Sequence, residues 1–362
     1  LLLSVSVLPS RLFFLSALLA ALIAGKALAH LPENFIDLPD EVQAVILEYA
    51  FFSEKATKVW GKDFETSSVH HLIKYLDDFH TKVNIDFTQG RIRVESEGAK
   101  DPRQALQHAI EATLLTPADP NAVDLYTAAD MGLTGKPFLS GLIKDAQGNN
   151  IDTPARATHF AQYLTRERLQ QRGNRYWVEI SMVRNFKQQG ARHYQGMAQR
   201  SAQRYRVDSA LILAIMETES SFNPFAVSPS GAYGLMQVMQ ATAGKDVYEK
   251  IYRKEGKPSR DFLLNPQNNI DTGTAYLAIL RDQYLRGIRH PLAQEYCIVA
   301  AYNGGAGNLL RTFHRNRSEA LEIINSMSPK DVYETILSDH PQEESRNYLK
   351  KVMRVKQQYV QS

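Results

Sequence analysis

Hydrophobic and polar positions divide the chain into three stretches with different rhythms. Residues 12–25 form a 14-residue apolar run behind Arg11, too short for a comfortable membrane span and of the length of a signal-peptide core. From Pro39 to Trp60, Val, Ile, Leu and Phe recur at helical spacing. Val83, Ile85 and Phe87 then alternate with polar residues, Gln89-Gly90 supplies a turn, and Ile92 and Val94 alternate back, which predicts a β-hairpin. Asp101-Pro102 pairs an N-cap residue with a first-turn proline and opens a helix to about Leu115. Phe138 to Ile143 and Tyr176 to Val183 read as further strands, with a helix near 157–171 between them. Periodicity lapses between Phe186 and Tyr194, where Gly190 suggests a linker. Beyond it nearly every pattern is helical, punctuated by Asn223-Pro224, Asn265-Pro266, Gly304-Gly305, Ser328-Pro329 and His340-Pro341. The expectation is an α+β N-terminal domain over 30–190 and an all-α domain over 191–362, behind a leader of residues 1–29.

The densest apolar segment lies in the helical part. Asp208 is a suitable N-cap, Leu211 to Met216 are apolar without a break, and Glu217 and Glu219 follow before Asn223-Pro224 stops the helix. At 100° per residue Glu219 falls in line with Ile212, Ile215 and Met216, while Glu217 points roughly 200° away. This predicts that Glu219 extends a buried stripe and that Glu217 reaches solvent. A carboxyl among apolar neighbours, near the negative end of a helix dipole, has a raised pKa, the profile of a general acid working near neutral pH.

Composition narrows the choices. With 44% hydrophobic and 22% charged residues in 362, the chain is ordinary globular protein with room for two domains. The net charge of +3 is uneven: residues 191–362 hold 22 Lys and Arg against 17 Asp and Glu. That mildly basic half suits an anionic polymer, but without dense basic runs or basic-aromatic interleaving it does not point to nucleic acid. The single cysteine, Cys297, excludes an intrachain disulfide and reads as a small buried apolar residue. No cluster has metal-ligand spacing, so neither metal nor cofactor is expected.

Four motifs, in order, carry a resemblance. Glu219-Ser220-Ser221-Phe222-Asn223-Pro224, Gly231-Ala232-Tyr233-Gly234-Leu235-Met236-Gln237, Ala301-Tyr302-Asn303-Gly304-Gly305 and Glu344-Ser345-Arg346-Asn347-Tyr348-Leu349 are similar to those of lytic murein transglycosylases. Lys58-Val59-Trp60-Gly61 and Val123-Asp124-Leu125-Tyr126 extend the likeness to the N-terminal domain of a membrane-bound branch of that family. The resemblance implies a lysozyme-like helical catalytic domain acting on peptidoglycan glycan strands. Cleavage would occur at the β-1,4 bond between N-acetylmuramic acid and N-acetylglucosamine, without water, leaving a 1,6-anhydro end. One glutamate, Glu219 by position in the motif, would serve first as acid and then as base. Met236 and Gln237 would line the cleft as an apolar wall and an amide, Ser228 would lie near the substrate, and Tyr302, Asn303 and Tyr348 would flank the acid. Leu264-Asn265-Pro266 through Asn269 and Leu277 also matches, and there a capped, packed helix is the simpler reading.

Two other functions share much of this pattern. A goose-type lysozyme-like hydrolase would admit water and leave a hydrated end, and a non-catalytic wall-binding protein would not need the glutamate. For location, Ala27-Leu28-Ala29 reads as a signal-peptidase site and predicts export to the periplasm. The branch resembled is lipid-anchored, which implies outer-membrane association. After Leu22-Ile23-Ala24-Gly25, however, Lys26 stands where a lipobox needs cysteine, so an unlipidated N-terminus is expected.

Overall fold

The computed structural model describes residues 40–122 and 136–360. The leader with Lys26 and the Val123–Tyr126 stretch lie outside the described residues.

Helix α1 (Asp40–Trp60) is followed by strands β1 (His71–Leu76), β2 (Thr81–Asp86) and β3 (Arg91–Glu97). The predicted hairpin is β2–β3, and its register sets Val83 opposite Val94 and Ile85 opposite Ile92. Helices α2 (Pro102–Leu114) and α3 (Pro154–Glu167) precede β4 (Gln170–Arg172) and β5 (Arg175–Ser181). The sheet is antiparallel, in the order β1-β2-β3-β5-β4. Asp101 caps α2 by accepting from the Gln104 N–H, as its sequence suggests. α2 lies on one face of the sheet with α3 packed beside it, and their shared core buries Leu72, Val83, Ile85, Ile92, Val94 and Val178. Ile73 and Tyr75 of β1 point the other way, into a smaller cluster with Phe52, Ala56 and Trp60 of α1. β1 is thus buried on both faces, and around Lys74 its sequence lacks the apolar-polar alternation of a surface strand.

Two sequence expectations are corrected. Phe138–Ile143 is not a strand but a series of turns with isolated bridges, Pro117 to Pro137 and Ser140 to Ile143. Pro137 lacks an N–H, Gly141 takes a positive φ of 79°, and Phe138, Leu139, Leu142 and Ile143 plug the core without a ladder. Nor is there a linker at Gly190. Helix α4 (Phe186–Tyr205) runs straight through it, and a Cβ on Gly190 would lie 3.1 Å from the Phe222 ring. Glycine at this position permits close packing rather than flexibility.

The helical part is built around α5 (Ser209–Ser220). Every residue of α5 from Ala210 to Ser220 is buried except Glu219. The small ladder β6 (Ala232–Tyr233) with β7 (Val238–Met239) follows, then α6 (Lys245–Lys250), α7 (Arg260–Leu264) and α8 (Pro266–Ile279). Five more helices complete the domain: α9 (Pro291–Gly304), α10 (Ala306–Phe313), α11 (Arg317–Ser326), α12 (Pro329–Asp339) and α13 (Glu343–Val360). α4 and α13 pack directly on α5. Cys297 lies fully buried in the shared core, and burial raises its thiol pKa, in keeping with a packing role.

Candidate active site

Asp208 caps α5 by accepting from the Ala210 N–H at 2.9 Å. The helix ends two residues before Asn223-Pro224: Ser221 turns left-handed (φ 53°) and its N–H closes on the Glu217 carbonyl at 3.0 Å. Glu219 therefore sits in the last turn, where unpaired carbonyls gather. Burial pushes its carboxyl from 4.5 up to about 7, and the Glu344 charge adds to the rise. The Tyr348 hydroxyl and the Lys351 ammonium act in the opposite direction, favouring the ionised form. The Tyr348 hydroxyl is buried without a completed hydrogen bond, and Glu219 is the acceptor it faces.

The exposures of the two glutamates are the reverse of the sequence expectation. Glu217 is buried at 5% exposure, accepting from the Tyr359 hydroxyl at 2.6 Å and pairing with Lys187 at 3.3 Å. Glu219 is the one that opens to the surface. Their separation into different surroundings stands, but Glu217 is an anchored internal charge rather than a solvated one.

The loop after α5 is held by its own backbone and by α8. Ser220 Oγ donates to the carbonyls of Met216 (3.1 Å) and Leu235 (2.8 Å), tying the helix end to the loop. Ser228 forms a tight turn, accepting at Oγ from the Ala232 N–H at 3.0 Å while its own N–H reaches the Ala232 carbonyl. Gly234 has a φ of 70° and lies so close to Asn269 that a Cβ would come within 2.5 Å of its amide. Asn269 is fully engaged: Oδ1 accepts from the Met236 N–H, and Nδ2 donates to the carbonyls of Tyr233 and Leu263. The structural reading of that matched stretch is the right one.

Met236 corrects another expectation. Its side chain is fully buried against Gly273, so it supports the loop from beneath and presents no wall to a cleft. Gln237 is half-buried, and its amide nitrogen donates to the carbonyls of Gly234 (2.9 Å) and Ala226 (3.3 Å). The amide oxygen is the atom it can offer a ligand.

Across from the loop, the end of α9 contributes Tyr302 and Asn303. The Tyr302 hydroxyl donates to the Met236 carbonyl at 2.8 Å, bracing α9 against the loop. Burial first, and then the Glu219 charge, hold that phenol well above its ordinary pKa, so it remains a neutral donor. Asn303 accepts from Ser345 Oγ at 2.7 Å and donates to Glu344 at 3.4 Å, joining α9 to α13. Gly304 has no room for a Cβ, which would sit 2.4 Å from Ser345 Oγ, and Gly305 (φ 82°) caps the helix.

Glu219, Tyr302 and Tyr348 are thus brought together, with Asn303 tied in through Glu344. Gln237 lies on the loop that Tyr302 braces, and Ser228 serves that loop's first turn. Lys351 was not foreseen. It lies one helical turn beyond Tyr348 and donates to the Thr218 carbonyl at 3.3 Å, with a pKa lowered by burial and by Lys187. Its spacing from Tyr348 was the available signal. A cavity of about 680 Å³ between the Asp145 turn and α3 holds none of these residues. No cluster suited to a metal ion occurs among the described residues.

Comparison with known proteins gives a consistent picture. The model of the N-terminal domain of membrane-bound lytic murein transglycosylase C matches residues 40–193, and that of the transglycosylase SLT domain matches residues 196–325. The membrane-bound lytic murein transglycosylase C of Serratia proteamaculans (strain 568) is 45% identical over 314 residues, 85% of this chain and 87% of its own. The protein of the same name from Shigella sonnei (strain Ss046) is 46% identical over the same shares. Among solved structures, an inactive mutant of the lytic transglycosylase Slt from Pseudomonas aeruginosa is 28% identical over 46% of this chain and 24% of that one. Its TM-score is 0.36.

Proposed function

The chain belongs to the membrane-bound lytic murein transglycosylase C family, and from that premise we propose that Glu219 performs both proton transfers of glycan cleavage. The protein is a peptidoglycan lytic transglycosylase, with a sheet-containing N-terminal region followed by a helical, lysozyme-like domain. The observation that carries the assignment is the placement of Glu219. Beyond the first residue of α5 it is the only opening in a buried helix, and its carboxyl titrates at about 7.

A carboxyl of that pKa exists in both forms near neutrality, as one group serving twice requires. As acid, Glu219 gives its proton to the bridging oxygen while the bond from that oxygen to C1 of N-acetylmuramic acid breaks. The acetamido carbonyl of the same sugar supports the electron-poor C1. The new carboxylate is stabilised by the Tyr348 hydroxyl and by Lys351. As base, it takes the proton of the C6 hydroxyl while that oxygen closes on C1. Glu219 ends protonated, no water is consumed, and the product carries a 1,6-anhydro ring.

In this reading the Gln237 amide oxygen and Asn303 meet hydroxyl and acetamido groups, and Tyr302 and Tyr348 orient the acid. Ser228 and Met236 contribute by fixing the loop. The catalytic unit extends from about residue 191 to the C-terminus, and the preceding unit from 30 to 190. The site of action in this reading is the murein of the periplasm, in association with a membrane, the relatives being named membrane-bound. Among the described residues no helix is long and apolar enough to cross a bilayer.

Digestion of purified peptidoglycan followed by mass spectrometry of the muropeptides tests the proposal. The expected products end in anhydro sugars, one water lighter than a hydrolase would leave. Hydrated ends would establish the lysozyme-like reaction instead, and an intact wall would refute catalysis.

A further inference from the structure

The helix that carries Glu219 ends in a backbone conformation its residues resist. Ser221 and Phe222 follow the glutamate closely and have φ of 53° and 62°, two successive left-handed residues without a glycine. L-residues avoid this region, and such a turn persists only where its surroundings over-determine it.

Much of what surrounds it comes from the N-terminal domain. His70, just before β1, places Nδ1 3.3 Å from Ser221 Oγ, and its ring also faces the Ser220 backbone. The Asn223 amide donates to the Val69 carbonyl at 2.9 Å. Phe225 is drawn into the N-terminal core, where its ring meets Phe138 edge-on at 5.1 Å. Phe222 lies parallel to Tyr194, closing over Gly190 of the helix that both domains share. Burial and the nearby Lys351 depress the His70 pKa, so the ring is a neutral hydrogen-bonding group at physiological pH.

We propose that the N-terminal domain is a positioning device for the catalytic acid, with His70 and the Val69 carbonyl clamping Ser221–Asn223 and so fixing the direction of Glu219. His70 touches no substrate in this scheme. It acts through the turn, as a positioning residue. The inference rests on the assignment of Glu219 as the acid. It explains why two domains with distinct cores are joined by an unbroken helix and why a motif asparagine and phenylalanine face away from the catalytic cleft. A domain used only to hold the wall would have no need to grip the acid's own helix end.

The test uses the full chain and soluble uncrosslinked glycan strands, following release of anhydro ends to obtain kcat and KM separately. His70→Ala is expected to lower kcat about tenfold, equivalent to ~1.4 kcal/mol, with KM within about twofold and the melting temperature little changed. His70→Asn, whose amide can occupy the place of Nδ1, should restore most of the loss. Asn223→Ala, which abandons the Val69 carbonyl, should show the same selective fall in kcat, and it serves as the second variant if His70→Ala does not fold. In a Ser221→Gly background, where glycine adopts the left-handed turn unaided, His70→Ala should cost no more than about threefold. The clamp is overturned if His70→Ala turns over like the parent, if KM changes while kcat does not, or if asparagine rescues nothing. A His70→Ala effect undiminished in the Ser221→Gly background overturns it as well. Glu219→Gln in parallel separates the two readings: if that variant stays active, the acid assignment has failed whatever His70 does.

Discussion

Replacing Glu219 by glutamine should inactivate the enzyme and make it more stable, and the gain should depend on pH in a defined way. In the unfolded chain the carboxyl titrates near 4.5, and in the fold it is pushed up to about 7, chiefly by burial. Below pH 4.5 it is protonated in both states and contributes nothing. Between the two values the folded state holds more protons, so stability falls as pH rises, and above 7 the whole cost is present. At 1.36 kcal/mol per pH unit that cost is about 3 kcal/mol, trimmed to ~2–3 kcal/mol because the side chain is partly open to solvent. Glutamine is isosteric and neutral throughout, so it removes the cost along with the proton donor. The measurement is urea unfolding at pH 4.5 and pH 8, followed by circular dichroism of the helices. Tryptophan fluorescence would be a poor probe, since Trp60 and Trp177 both belong to the N-terminal domain. The expected result is a gain of ~2–3 kcal/mol at pH 8 and well under ~1 kcal/mol at pH 4.5, with wall cleavage nearly abolished. An equal gain at both pH values, or none at pH 8, would refute the claim that burial sets the acid's pKa.

Glu217→Gln should keep turnover within a few-fold while losing ~1–2 kcal/mol in urea unfolding, because it weakens the bonds to Tyr359 and Lys187; a dead enzyme would reverse the assignment of the two glutamates. Gly234→Ala should cost at least ~2 kcal/mol, since the new methyl meets both a left-handed backbone and Asn269, and a melting curve matching the parent's would contradict that packing. Tyr302→Phe removes the brace on the Met236 carbonyl and should cost ~1 kcal/mol with a drop in kcat; unchanged kcat and stability would show the brace to be idle.

Much of the fold was legible because local chemistry and tertiary need agree. Asp101-Pro102 caps a helix, and Val83, Ile85, Ile92 and Val94 pair across a hairpin in the anticipated alternation. Misreadings arose where a residue answers to a distant neighbour. Gly190 resembles a hinge until Phe222, distant in sequence, is seen lying against it. Phe138 to Ile143 has strand composition but fills a core from turns, and no local signal separates those two uses of apolar side chains. The His70 contact joins residues 151 positions apart, a distance that local reading does not span.

The two glutamates show why the site itself was only half legible. Helical-wheel reasoning assumes one wet face and one dry face, and it assigned Glu217 to the wet one. α5 has no wet face: α4 and α13 pack against it, and its loop is drawn close by Ser220. In such a helix the apolar stripe no longer sorts the carboxylates, and what matters is the partner each one finds. A buried carboxylate with a lysine and a phenol on it is anchored by both and is costly to move, which describes Glu217. A carboxyl at the helix mouth, facing an incompletely bonded phenol and a partly buried lysine, can gain and lose its proton near neutrality, which describes Glu219. Burial raises the acid's pKa, and incomplete pairing is what separates it from the buried Glu217. The sequence nevertheless held a usable trace of this, because Tyr348 and Lys351 are one helical turn apart and both face Glu219.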